Sequence, residues 1–114
     1  SLGGAMAAEY ANNNKDILDG LIMFASYPAN FDNFVDFPMP ILTIIGSSDT
    51  GAPQQQEFYE AIAESANLFI IDGGNHRQYA DYSFQQGDGV ATISAAEQQN
   101  QIIKATVEFL DTVD

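Results

Sequence analysis

The chain opens on Ser1-Leu2-Gly3-Gly4 and carries one histidine, His76, with Asp49 between them in chain order. A serine followed at once by small residues has the composition of the second half of a nucleophile elbow. There the chain leaves a strand, turns at the nucleophile and enters a helix that passes close to the sheet. Gly3 and Gly4 would give the clearance such a crossing needs. A histidine is the side chain best suited to accept a hydroxyl proton near neutral pH, and a carboxylate on its other ring nitrogen holds the tautomer and stabilises the imidazolium. Each residue also has an ordinary reading: the serine and glycines as a mobile chain end, Asp49 as a turn former or cap ahead of Pro53, His76 as a packed or solvated side chain.

Elements that could position these residues follow from hydrophobic patterning. Three nearly continuous apolar runs, residues 20–26 (from Gly20 through Ser26), 41–45 and 67–72, read as strands of a parallel sheet covered by helices on both faces. A helix over residues 5–11 follows the serine, with Asn12, Asn13 and Asn14 suited to a left-handed C-cap. A second spans 53–65, with Pro53 at its first position and Phe58 and Ile62 on one face. A third starts at a Ser94/Glu97 capping box and turns Ile103, Val107 and Leu110 inward, flanked by Ile102 and Phe109. Alternation of this kind predicts an α/β fold, a three-layer parallel sheet flanked by helices with right-handed crossovers. The link over residues 27–40 is short for a crossover, and Phe31, Phe34, Val35 and Phe37 in it read either as a plug over the core or as the wall of an acyl pocket.

In open α/β sheets ligands bind beyond the carboxyl ends of the strands. The second run leads through Gly46-Ser47-Ser48 to Asp49, and the third through Gly73-Gly74-Asn75 to His76, so both side chains belong to that end. Asp72, Asp81 and Asp88 are rival carboxylates: the first precedes the glycines, and the other two follow the histidine, Asp88 within a Gly-Asp-Gly turn. Ser47 and Ser48 are rival hydroxyls, but neither precedes a glycine-rich helix start.

With these pieces in order, the chain resembles the α/β-hydrolase superfamily, and within it the bacterial dienelactone-hydrolase-like group. The resemblance rests on Ser1-Leu2-Gly3-Gly4, on residues 40–49 ending in Gly46-Ser47-Ser48-Asp49, on residues 73–79 with Asp81-Tyr82, on Gly87-Asp88-Gly89, and on the helix start at Ile93-Ser94. It implies a Ser1, Asp49, His76 triad with Leu2 N–H as one oxyanion donor, and a serine hydrolase acting on an ester, thioester, lactone or amide. No metal or cofactor is implied. That fold is built on a larger sheet, so residues 1–114 are expected to be the carboxyl-terminal part of one hydrolase domain. The chain alone is then expected to be inactive, and the strand edge at Gly20 through Ser26 to pair with the missing N-terminal half or with a second copy. The other reading from the residues is a non-catalytic acidic α/β interaction module.

Composition narrows the partners. At 114 residues and 46% hydrophobic, the chain has enough apolar content for a core. Its net charge of −13, with only Lys15, Arg77 and Lys104 positive, argues against nucleic acid, whose binding needs clustered cations. With no cysteine and one histidine there is no thiolate or histidine-rich metal site. Glu57, Glu60 and Glu64 read as a solvated helix face. No run reaches the roughly 18 apolar residues of a membrane span. The compartment stays open: cytoplasmic, or extracytoplasmic if an anchor or export signal lies upstream.

Overall fold

Runs dominated by Leu, Ile, Met and Phe make the strands, because only a chain with apolar side chains on both faces can lie between two helical layers. The computed structural model describes residues 2–29, 34, 36–80 and 82–113. Ser1, Phe31, Val35 and Asp81, singled out above, lie outside the described residues. The strands are β1 (Leu21–Phe24), β2 (Ile41–Gly46) and β3 (Ala66–Ile71), parallel and in the order β1-β2-β3. Leu21 pairs with Ile41, and Ile41 with Ala66, so β2 and β3 end at the same level, Gly46 opposite Ile71. All six residues of β2 are buried, as the continuous runs predict. The outer strands differ: Phe24, Phe69 and Ile70 are partly exposed, because each of these strands has a neighbour on one side only among the described residues.

Helices α1 (Leu2–Asn13) and α2 (Gln56–Ile62) lie over a core containing Ala8, Ala11, Met23, Ile41, Tyr59 and Ile62. Helix α3 (Ala95–Thr112) covers the other face, where Ile102 and Ala105 meet Leu42, Ile44 and Ile71. Successive β2 residues thus feed opposite cores, as the period of two along a strand requires. Phe34 and Phe37 stack 4.9 Å apart inside the α1/α2 core, so of the aromatic cluster the described members plug the core and do not wall a pocket beside His76. Among the described residues no helix is long and apolar enough to cross a membrane.

Several local expectations are corrected. Helix α2 begins at Gln56 rather than Pro53, because the preceding residues tie down the loop after β2: Gln54 Nε2 donates to Gly46 O at 3.1 Å, and Pro53 O accepts from Tyr59 Oη at 2.9 Å. Helix α1 does not end in a left-handed residue. Asn14 has φ −136° and caps with its side chain, Nδ2 donating to Tyr10 O at 2.8 Å. Ser94 caps α3 by accepting from Glu97 N at 3.1 Å, as read from sequence, while Glu97 Oε1 takes a bond from Gln101 rather than closing the box. On α3 the stripe Ile103, Val107 and Leu110 is 60%, 50% and 56% exposed, and the buried stripe is Gln98, Ile102 and Ala105 with Phe109 at its edge. Two apolar stripes one residue apart lie about 100° apart on a helix. The buried one is anchored by a glutamine, which a hydrophobic reading passes over. Glu57, Glu60 and Glu64 are exposed, as expected of a solvated face.

The two glycines after the serine separate. A Cβ on Gly4 would collide with Ser26 Oγ and Cβ, whereas a Cβ on Gly3 meets nothing within 4 Å. Only Gly4 mediates the close approach of α1 to the segment after β1. Gly4→Ala should therefore cost about 1–3 kcal/mol as overpacking, and Gly3→Ala should be neutral or stabilising by up to about 1 kcal/mol through helix propensity. Urea denaturation of the two variants side by side checks the contrast.

Candidate active site

The site is assembled by zipping together the loops that leave β2 and β3. Ser47 N donates to Ile71 O at 2.9 Å, Ser48 N to Gly74 O at 2.8 Å, and Gly73 N to Ser47 Oγ at 2.7 Å. Gly46 permits this contact, since a Cβ there would overlap the Gly74 backbone; Gly73 turns the other loop at φ +81°. Asp49 then sits in a tight turn, its N–H donating to Gly46 O at 3.0 Å and its Oδ1 accepting from Gly51 N at 3.1 Å.

The loops meet at Asp49 and His76. Asp49 Oδ2 lies 2.8 Å from His76 Nδ1, and the side chains are 4% and 28% exposed. A neutral imidazole that donates from Nδ1 to a carboxylate has Nε2 free to accept a proton, so the pair has the polarity of a base and its orienting group. The carboxylate is shielded and the ring reaches the surface, the order that role requires.

His76 faces a cleft of about 340 Å3 whose wall includes Leu2, Ala5, Ala25, Ser26, Tyr27 and Asp49. Leu2, the expected oxyanion donor, therefore shares a cleft with the histidine. Ser1 lies outside the described residues, so the structure brings together Asp49, His76 and Leu2 and leaves the serine undescribed. Ala25, directly after β1, holds φ +51°, the one non-glycine residue at positive φ among those described. It lines this cleft and a second one, on the side of Phe24, Tyr79 and Tyr82. Strain of this kind clusters at functional sites.

The rival residues have other occupations. Asp72 is exposed, with Oδ1 3.5 Å from Ser47 Oγ. Asp88 turns its carboxylate to the backbone amides of His76 and Arg77, at 2.9 Å each, and not to the imidazole. Sequence reading missed the polar set behind the histidine loop: Asn75, Gln78 and Gln98. Gln98 falls on the same helical face as Ile102, one turn earlier, and that register was the available signal. Among the described residues no group of three or more His, Cys, Asp or Glu could hold a metal ion.

The sequence profile described as the alpha/beta hydrolase family matches residues 1–100. The chain belongs to that family. A solved structure, a predicted CIB-like hydrolase from Thermoplasma acidophilum, superposes on this α/β-hydrolase chain with a TM-score of 0.71 at 24% identity. The match covers 96% of this chain and 47% of the other, so the chain spans about half the length of that hydrolase and shares its fold. No curated protein matches the chain.

Two tyrosines hold their protons to high pH. Tyr79 Oη donates to Ile44 O at 2.6 Å, and its phenol is pushed far above the ordinary range by burial, then by the charge of Asp49 and by Tyr59. Tyr59 is raised from 10.0 to about 12, by burial first and then by Tyr27 and Asp49. A group whose folded pKa exceeds its unfolded one contributes stability that is whole below the unfolded value and is lost as pH rises toward the folded value. The urea midpoint of this hydrolase chain should therefore fall as pH rises from 10 toward 12. Tyr59→Phe and Tyr79→Phe should each flatten that fall, as urea titrations across the range would show.

Proposed function

We propose that the chain carries the nucleophile, base and orienting acid of a serine hydrolase that transfers the acyl group of an ester, thioester, lactone or amide to water. The observation that carries this reading is the 2.8 Å contact between Asp49 Oδ2 and His76 Nδ1, formed at the carboxyl ends of adjacent parallel strands and opening on the cleft that Leu2 lines. His76 Nε2 takes the proton from Ser1 Oγ as the oxygen attacks the acyl carbonyl, and Asp49 stabilises the imidazolium. Leu2 N–H, at the start of α1, donates to the oxyanion. Collapse expels the alcohol, thiol or amine, protonated by His76, and water then repeats the cycle on the acyl-enzyme.

In a protein carrying this chain within a complete hydrolase domain, Ser1→Ala and His76→Ala should each lower kcat on short acyl esters by about 10³-fold or more. Asp49→Asn should cost far more than Asp72→Asn, since it favours the wrong tautomer of a ring that Asp72 does not touch. A fluorophosphonate probe should label Ser1 and leave Ser1→Ala unlabelled. An active Ser1→Ala protein, or equal losses in the two Asp variants, would overturn the assignment.

The same reading makes residues 1–114 part of one domain whose remainder covers β1. Its support is apolar surface: Leu2, Met6 and Tyr10 form an exposed row at i, i+4 and i+8 on α1, Phe24 of β1 is 45% exposed, and β1 ends the described sheet. The upstream half of the domain, or a second copy paired along β1, would bury it. Light scattering of the isolated chain should therefore show association, and an ester-hydrolysis assay no activity; an active 12.3 kDa monomer would refute the proposal.

A further inference from the structure

Residues 75–78 carry no regular ladder, yet each of their four backbone N–H groups donates to a side-chain oxygen. Asn75 N donates to Gln98 Oε1 at 3.0 Å, His76 N to Asp88 Oδ1 at 2.9 Å, Arg77 N to Asp88 Oδ2 at 2.9 Å, and Gln78 N to Asn75 Oδ1 at 3.2 Å. The 3₁₀ turn that overlaps the end of this segment, Arg77–Tyr79, has three residues and cannot hold the loop by itself. The amides bound by Asp88 are those on either side of the His76 Cα. One carboxylate thereby fixes both peptide groups flanking that carbon, and with them the direction of its Cα–Cβ bond.

The turn that presents Asp88 is itself held by both catalytic loops. Thr50 Oγ1, next to Asp49, donates to Gly87 O at 2.6 Å, and Asn75 Nδ2 donates to Gly89 O at 3.0 Å. A Cβ on Gly89 would collide with Ser48 O, so the turn lies directly against the loop after β2. From the other side Gln98, fully buried on α3, donates from Nε2 to Asn75 O at 2.8 Å while its Oε1 takes the Asn75 amide. We propose that Asp88 is a positioning residue for His76, clamping the backbone on both sides of its Cα so that the ring meets Asp49 and the cleft together, with Gln98 as the fixed end of the clamp. This rests on the hydrolase reading above. The Gly-Asp-Gly segment is then part of the site's machinery as well as a turn.

The test uses Asp88→Asn in the complete hydrolase domain. The amide puts an NH2 against one of two N–H donors, so the clamp loses one arm while size and shape are kept. Three readings are taken: kcat and KM on a short acyl ester, the melting temperature, and the downfield proton NMR resonance of His76 Nδ1–H that reports its bond to Asp49. The clamp predicts a fall in kcat of about 10²-fold, KM nearly unchanged, and a shifted or broadened Nδ1–H resonance in a protein that still melts cooperatively. Thr50→Val, at an exposed position, loosens the same turn without touching the carboxylate and should give a smaller loss in the same sense. It stands in should Asp88→Asn fail to fold. Wild-type kcat and an unmoved resonance in a folded Asp88→Asn protein would overturn the clamp. A wild-type protein that shows the resonance but hydrolyses no ester, thioester, lactone or amide and is not labelled at Ser1 by a fluorophosphonate would overturn the hydrolase reading, and the resonance would still decide the clamp.

Discussion

The approach of two backbone segments, Gly46 at the end of β2 and Gly74 in the loop after β3, is the constraint on which the rest of the site depends. These loops can be joined by the Ser48 N to Gly74 O bond only because no side chain stands between them. That contact requires β2 and β3 to end level, which their register ensures by pairing Gly46 with Ile71. The register in turn is held by apolar faces on both sides of β2, from α1 and α2 on one side and α3 on the other. A one-residue slip would reverse every side chain of the strand and part the two loops. Asp49 and His76 stand 27 residues apart in sequence and meet at 2.8 Å because of this sequence of requirements.

Electrostatics and burial then divide the labour among the acids. With 16 carboxylates in the chain, charge alone cannot select an orienting group. Asp49 differs from Asp72 by place: it is 4% exposed and aimed across the zipped loops, while Asp72, one residue beyond β3, points to water and meets a serine hydroxyl. Asp88 is engaged by the backbone amides of His76 and Arg77 and leaves the imidazole to Asp49. Burial raises the phenols of Tyr59 and Tyr79, and the charge of Asp49 adds to the shift of each. A single buried carboxylate thus shapes its surroundings on several sides.

The three apolar runs were enough to read the parallel sheet, and the motifs between them carried the resemblance to the family, because strand runs and post-strand polar residues are local patterns that survive in any one sequence. The place of Asp49 after a strand marked it, ahead of Asp72, as the carboxylate to compare with His76, and the 2.8 Å contact is made by Asp49. Tertiary structure alone decided which stripe of α3 faces inward, since Ile103, Val107 and Leu110 form as good a helical row as the one that is buried. It alone showed that Gly4 and not Gly3 carries the close approach, a matter of what lies opposite each Cα. The partners of Asn75, Gln78, Asp88 and Gln98 could not be read in advance for the same reason. Most of the hydrogen bonds of this polar set join residues 11 to 23 positions apart, and a glutamine on a helix or an aspartate between glycines carries no mark of the backbone amide it will meet. Hydrophobic period is a property of a segment; the partner of a buried polar group is a property of the fold.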